Sequence, residues 1–276
     1  MMDKDRLHGL LIGRFSWKRM VRSTVIVAVM LVVFSISCAD MLIFRPPRAG
    51  YGAEDGVVWI AAADGRRIAG MYYERAGAEF TVLFSHGNAE DIGHNREFFE
   101  RLNRWGYSVL GYDYHGYGLS EGRPTERNAY VAVEAAYAYL LGELGVEPNA
   151  VIVLGRSIGS GPAVHLATRE PVAGLVLESA VTSAFRVITR RGILPFDKFV
   201  NIEKIGDVRC PVLVIHGSED EIVAPWHGEA MYEAANEPKQ FWRVEGAGHN
   251  DLLWIAGGEY GRVLDEFVHL ILDARR

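Results

Sequence analysis

Val151-Ile152-Val153-Leu154-Gly155-Arg156-Ser157-Ile158-Gly159-Ser160 is the stretch on which the reading of this chain turns. Its first four residues are apolar and mostly β-branched, as a buried strand requires. The segment that follows, 160–169, has helical spacing. Between them stands G-x-S-x-G, a turn from strand to helix tight enough to thrust the serine outward on a strained backbone. The glycines are needed because neighbouring elements press close. A second match, Gly118-Leu119-Ser120-Glu121-Gly122, follows a Gly-rich loop and runs into Arg123-Pro124, with neither strand nor helix abutting it. Ser120 therefore reads as loop punctuation, and Ser157 as the candidate nucleophile.

A serine hydroxyl is a weak nucleophile until a base takes its proton, and that base must be oriented by a carboxylate. The histidines after Ser157 are His165, His216, His227, His249 and His269. His249 stands in Glu245-Gly246-Ala247-Gly248-His249-Asn250-Asp251, directly after the last expected strand, in a loop supple enough to carry an imidazole back over a sheet. It is the expected base. His165 and His269 fall within expected helices, and His216 sits at a strand end as a structural residue. The carboxylate is expected in Gly217-Ser218-Glu219-Asp220-Glu221, with Asp220 favoured and Glu219 and Glu221 read as a solvated acidic turn. An oxyanion needs two preorganised N–H donors. Ile158, next after the nucleophile, supplies one. The loop Ser85-His86-Gly87-Asn88-Ala89 supplies the other, through the backbone N–H of Asn88.

Outward from the elbow, β-rich runs at 57–61, 68–73, 80–84, 107–112, 151–154, 175–177, 212–215 and 240–244 are punctuated by turns and helix-length segments. The first two flank Asp64-Gly65, which suits a hairpin. From 80 onward the runs alternate with helical patterns at 91–104, 125–144, 158–169, 226–236 and 259–273. That order predicts an α/β domain, a mostly parallel sheet covered by helices on both faces. In such sheets chemistry gathers in loops at the carboxyl ends of the strands. The chain has 276 residues, 49% hydrophobic and 23% charged, with 35 acidic residues against 29 Lys and Arg. It has the apolar content for a full core, and the balance gives nucleic acid no basic surface to bind. Cys38 and Cys210 lie far apart without a Cys/His cluster, so neither a disulfide framework nor a metal site is indicated, and no cofactor is implied.

The amino-terminal region reads differently. Residues 23–39 carry no charge, and the preceding 1–22 hold Lys4, Arg6, Arg14, Lys18, Arg19 and Arg22. This predicts a basic cytoplasmic terminus, a transmembrane helix over 23–44, a Pro/Gly-rich linker over 45–56 and a catalytic domain over 57–276 on the non-cytoplasmic side. A cleaved signal, or a lipoprotein signal with Cys38 as the lipidated residue, is the alternative.

Five pieces in colinear order resemble a known family: Ser85-His86-Gly87-Asn88-Ala89, Tyr112-Asp113-Tyr114-His115-Gly116-Tyr117-Gly118, the Ser157 elbow, Pro211 to Gly217 with Glu219-Asp220, and Val244 to Asp251. They are similar to the α/β-hydrolase-fold serine hydrolases, within these to the ABHD17-type protein depalmitoylases and the related Bem46- and ABHD13-like enzymes. The resemblance implies Ser157, Asp220 and His249 as a triad, a structural role for the Asp113 loop, and an acyl ester or thioester substrate of lipid type. The ABHD17-type proteins dock through amino-terminal cysteines, which the uncharged run replaces here. Depalmitoylation is thus the expectation only if the domain is cytoplasmic. A serine peptidase of the prolyl-oligopeptidase type shares the fold and triad, but nothing here is long enough for its propeller or large cap. Residues 180–210, where this fold carries its lid, are few and apolar at Phe185, Val187, Ile188, Ile193, Leu194, Phe196 and Phe199. They read either as an acyl groove or as a cap filling its own core, with Arg190 and Arg191 beside it as candidate phosphate contacts.

Overall fold

β-Branched and apolar runs define the centre of the molecule, and polar turns with glycine or proline separate them. The computed structural model describes residues 16–190 and 197–276, with the side chains at 28, 31, 32 and 34–38 excepted. In chain order the elements are α1 (Trp17–Ile43), β1 (Val57–Ala61), β2 (Arg67–Tyr73), β3 (Thr81–Ser85), α2 (Arg96–Arg104), β4 (Ser108–Tyr112), α3 (Glu126–Gly142), β5 (Val151–Arg156), α4 (Ser160–Ala167), β6 (Gly174–Glu178), α5 (Arg186–Thr189), β7 (Val212–Gly217), α6 (Trp226–Ala234), β8 (Lys239–Val244), α7 (Leu252–Ala256) and α8 (Glu259–Ala274). Contacts divide the chain into a unit ending at Ala39 and a body running from Asp40 to Arg276.

The eight strands form one sheet in the order β1-β2-β4-β3-β5-β6-β7-β8. The β1–β2 hairpin and the β2–β4 pairing are antiparallel, and every later pairing is parallel. β3 connects to β4 on one side, whereas β4 connects back across β3 to β5 on the other. With right-handed crossovers, these opposite directions put α2 and α3 on opposite faces. Side-chain alternation follows: Val82 and Phe84, Ile152 and Leu154, Val176, Leu213 and Ile215 share a core with Phe98 and Phe99 of α2 and Tyr260, Phe267 and Ile271 of α8. The intervening Leu83, Val153, Leu175 and Val214 are fully buried on the other face.

The reversal of strand order makes the β3/β5 seam a topological switch point, the place where an open sheet leaves a crevice at its carboxyl edge. Ser85 and Gly155 are register partners there, so the loop after β3 and the turn after β5 emerge side by side.

The strands and helices expected from 57 onward are present with shifted ends, β5 running on to Arg156 and β7 to Gly217. α7, directly after the His249 loop, was not expected, because five residues are too short for a periodicity signal. The stretch 45–56, expected as a linker, differs from that expectation. The Tyr51 hydroxyl donates to the Asp113 carboxylate, and the Gly50 N–H donates to Asp91 Oδ2 at 2.7 Å. Gly50 serves close packing, since a side chain there would meet the His94 ring.

α1 occupies the segment expected to span a membrane. Among the described residues no helix is long and apolar enough to cross one, so the span expected over 23–44 has no support from the structure. The basic residues at 4, 6 and 14, the Cys38 side chain, and lid residues Arg191, Ile193, Leu194 and Phe196 lie outside the described residues.

Phe267 of α8 is fully buried and rests on the bare backbone of Gly174 in β6. Phe267→Ala is expected to cost about 3–5 kcal/mol of unfolding free energy, read from the urea midpoint at unchanged m-value.

Candidate active site

β5 ends at Arg156, and Ser157 follows at φ 54°, a left-handed conformation that a serine adopts only when its surroundings impose it. Those surroundings are visible on both flanks. A side chain at Gly155 would collide with the Gly159 carbonyl, and one at Gly159 with the carbonyls of Ser85 and His86. A 3₁₀ turn, Ser157–Gly159, leads into α4. Ser157 is thereby held out over the sheet edge, where the chain has no room to relax.

The three expected partners meet at this point. His249 Nε2 lies 3.0 Å from Ser157 Oγ, and His249 Nδ1 lies 2.7 Å from Asp220 Oδ2. The second carboxylate oxygen of Asp220 accepts the backbone N–H groups of Ile222 and Val223 at 3.0 and 2.8 Å. Burial opposes ionisation of Asp220. Hydrogen bonds from His216 and His249 outweigh it, and the carboxyl is held well below the usual carboxylate range. An ionised Asp220 fixes Nδ1 as the protonated nitrogen and leaves Nε2 free to take the serine proton. Both oxygens being occupied, the carboxylate cannot rotate without leaving a donor unpaired.

Gly87 comes within contact distance of Ser157: a side chain there would lie 3.6 Å from Ser157 Cβ. The Gly87 N–H donates to Glu90 Oε1 at 2.5 Å, while the N–H of Asn88 meets no acceptor among the described residues. Asn88 and Ser157 line the same cleft of about 510 Å³. Ile158 is buried in the middle of the 3₁₀ turn.

Of the two readings of the lid, the structure fits the cap that fills its own core. None of the described lid residues lines the cleft. Phe199 of the lid is buried against Phe44 and Tyr130, with ring centroids 5.8 and 5.6 Å away, and Phe185 is buried as well. These rings fill a core. The apolar wall comes from Phe98, Ile222, Leu252, Leu253 and Trp254. Trp254 is 64% exposed, with the Arg101 guanidinium 4.9 Å from its ring centre.

The floor is polar and was not anticipated. Arg156 Nε donates to Glu178 Oε1 at 2.5 Å and Arg156 Nη1 to Asn95 Oδ1 at 2.8 Å. Asn95 donates to Glu90 Oε2 at 3.1 Å, and the Tyr260 hydroxyl to Glu178 Oε2 at 2.5 Å. Burial disfavours the charged guanidinium, but Glu178 and Glu90 more than offset it and Arg156 stays cationic. Sequence inspection places Arg156 at the variable x of the elbow; only strand register sets it beside Glu178.

The other candidates have other partners. Ser120 Oγ donates to the Asp113 carbonyl at 3.0 Å and accepts from Ala69 N–H at 2.9 Å. Asp113 is fully buried, accepts the Ile92 N–H at 3.0 Å and lies 3.2 Å from His86 Nε2. His165 pairs with Glu134 at 2.9 Å, and His269 is exposed. His216 is buried with Nε2 2.8 Å from the Val223 carbonyl. Burial pushes the Cys210 thiol up to about 12, which leaves it inert as a nucleophile.

His227 is buried, its Nδ1 accepting from the Thr182 N–H at 3.1 Å, and burial together with His216 and Arg186 nearby lowers it to about 4 despite Asp220. Unfolded, it titrates near ~6.5. Between these values the unfolded chain binds the extra proton, so stability falls as pH drops from about 6.5 towards about 4. His227→Asn, which keeps an acceptor for Thr182, is expected to flatten that part of the pH profile of the urea midpoint.

Comparisons with known proteins agree with this architecture. A family model described as serine aminopeptidase, S33, matches residues 77–201. The chain is 43% identical over 208 residues to alpha/beta hydrolase domain-containing protein 17B of Homo sapiens, covering 74% of this chain and 72% of that one. It is 41% identical over 216 residues to protein 17C of Mus musculus, covering 77% and 67%. Among solved structures, the Pyrococcus furiosus esterase Pf2001 superposes at a TM-score of 0.69 with 21% identity, covering 82% of this chain and 98% of that one. The Exiguobacterium antarcticum esterase EaEST gives 0.62 with 18% identity, covering 77% and 99%. With an α/β-hydrolase fold and relatives of this identity over most of its length, the chain belongs to the α/β hydrolases of the domain-containing protein 17 type.

Proposed function

We propose that this α/β hydrolase is a serine hydrolase that cleaves carboxylic esters or thioesters through an acyl-enzyme. The observation carrying the reading is the row Ser157 Oγ, His249 Nε2 at 3.0 Å, and Asp220 on the other imidazole nitrogen at 2.7 Å. Ser157 Oγ attacks the acyl carbon while His249 Nε2 takes its proton. The carbonyl oxygen becomes an oxyanion between the N–H groups of Asn88 and Ile158. Collapse breaks the bond to the leaving oxygen or sulfur, which takes the proton from His249. A water then attacks the acyl-serine with His249 as base, releasing the carboxylic acid and restoring the hydroxyl.

An acyl chain of lipid type suits the apolar wall of Trp254, Leu253, Leu252, Ile222 and Phe98. Attachment to a membrane rests on the sequence: an uncharged run at 23–39 behind a basic terminus. The positive-inside rule then assigns the catalytic body to the non-cytoplasmic side.

A fluorophosphonate probe is expected to label the wild-type chain at Ser157 and to leave Ser157→Ala unlabelled. Asp220→Asn, which loses the tautomer control, is expected to lower kcat by about 10⁴-fold on a p-nitrophenyl acyl ester. Labelling that survives in Ser157→Ala removes the nucleophile assignment. Peptide anilides turned over faster than acyl esters would move the reading to a peptidase, and cytosolic exposure of the body in intact cells would admit protein depalmitoylation.

A further inference from the structure

The backbone N–H of Asn88 can serve an oxyanion only if its peptide is held in place, and the turn that carries it is strained. Ala89, the next residue, stands at φ 57°, an unfavourable conformation for alanine. From within the loop, His86 Nδ1 lies 2.7 Å from the Gly87 carbonyl of the peptide that carries the Asn88 N–H; the Asn88 carboxamide adds a tie whose partners lie mostly outside the loop. Nδ2 donates to the Ile43 carbonyl at 2.5 Å. Oδ1 accepts the Arg45 N–H at 3.0 Å, the Tyr117 hydroxyl at 2.7 Å and the Ala89 N–H at 3.1 Å. Arg45 N–H also reaches the Tyr117 oxygen at 3.1 Å. Both ends of the carboxamide are thus clamped by the peptides just past the last turn of α1.

That segment is itself anchored to the body. Phe44 is buried with its ring edge-on to Tyr117 and Phe199, centroids 6.2 and 5.8 Å away. Asp40 Oδ1 accepts the Glu126 N–H at the start of α3 at 3.1 Å and lies 3.6 Å from Lys198 Nζ. The contacts grip at two points, four residues apart, and the two hydrogen-bonding peptides fall between and just beyond them.

We infer that residues 40–45 form a strap that positions the Asn88 N–H for the oxyanion, making this stretch a working part of the catalytic body. The inference rests on the serine-hydrolase reading above. The strap never touches substrate; it acts through the carboxamide. Its consequence is that a chain shortened to begin beyond residue 45 keeps Ser157, His249 and Asp220 but loses oxyanion stabilisation. Turnover therefore depends on a segment that the motifs of the fold do not include.

The test uses the full-length chain and a double-mutant cycle. Phe44→Ala withdraws the ring that seats the strap, Tyr117→Phe removes one donor to Oδ1 with little change in packing, and Asn88→Ala removes the carboxamide through which both act. Each is assayed for kcat and KM on a short p-nitrophenyl ester, for fluorophosphonate labelling and for thermal midpoint. Phe44→Ala and Asn88→Ala are each expected to lower kcat about 10- to 100-fold with KM changed less than about twofold, since small misplacement of an oxyanion donor costs this much. Tyr117→Phe gives a smaller fall. Phe44→Ala in the Asn88→Ala background is expected to lower kcat no further. If Phe44→Ala and Tyr117→Phe both keep wild-type kcat, or if the Phe44 and Asn88 effects multiply, the strap has no role in positioning. Should Phe44→Ala fail to fold, Tyr117→Phe and its double variant with Asn88→Ala decide by the same criterion. A wild-type chain that takes no label at Ser157 instead fails the underlying reading, an outcome separate from these.

Discussion

The contact between Gly159 and the Ser85 carbonyl governs the geometry of the site. No side chain fits between α4 and the end of β3, so the elbow can sit directly against the loop that follows β3. Two things follow from that one approach. The turn is forced to place Ser157 in the left-handed region, and the loop after β3 comes within contact distance of it, a side chain at Gly87 lying 3.6 Å from Ser157 Cβ. A looser junction would relieve the strain and at the same time move Ser157 away from the loop after β3. The strain is therefore retained because the surrounding sheet, buried on both faces, over-determines the backbone.

Beneath the elbow runs the chain Gly87, Glu90, Asn95, Arg156, Glu178, Tyr260. A buried ion pair of this kind is weak evidence for stability, since desolvation of Arg156 and Glu178 offsets most of their attraction. Its geometric effect is firmer. Arg156 leaves the elbow on one side of Ser157, and Glu90 receives the Gly87 N–H on the other. The polar floor and the strap over Asn88 thus hold the same loop from two directions, one through its first peptide and one through the side chain that follows.

Legibility in the sequence followed locality. Ser157, Asp220 and His249 could be found because each sits at the end of a strong strand signal: 151–154, 212–215 and 240–244. The fold class was legible for the same reason. Strand ends were not, because Gly155, Arg156, His216 and Gly217 carry no strand propensity and are extended only by pairing with neighbours. The stretch 45–56 misled because prolines and glycines that mark turns also allow close packing, as at Gly50 against His94. The sequence left the lid open between groove and self-filled cap, because the Phe199 ring is apolar in either reading; its burial against Gly161 fits the cap.

The wall of the cleft sharpens the consequence. Trp254 lies on α7, which begins three residues after His249, and the Gly248 N–H donates to Asp251 Oδ1 at 2.7 Å to close the turn between them. His249 and three residues of the apolar wall, Leu252, Leu253 and Trp254, consequently belong to one short, internally hydrogen-bonded piece of chain, with Asp220 on the other side of the imidazole. By contrast, a lid whose rings fill the core can move little without opening it. Residues 252–254 of the apolar wall therefore travel with the loop that carries His249, while none of the described residues of 180–210 lines the cleft.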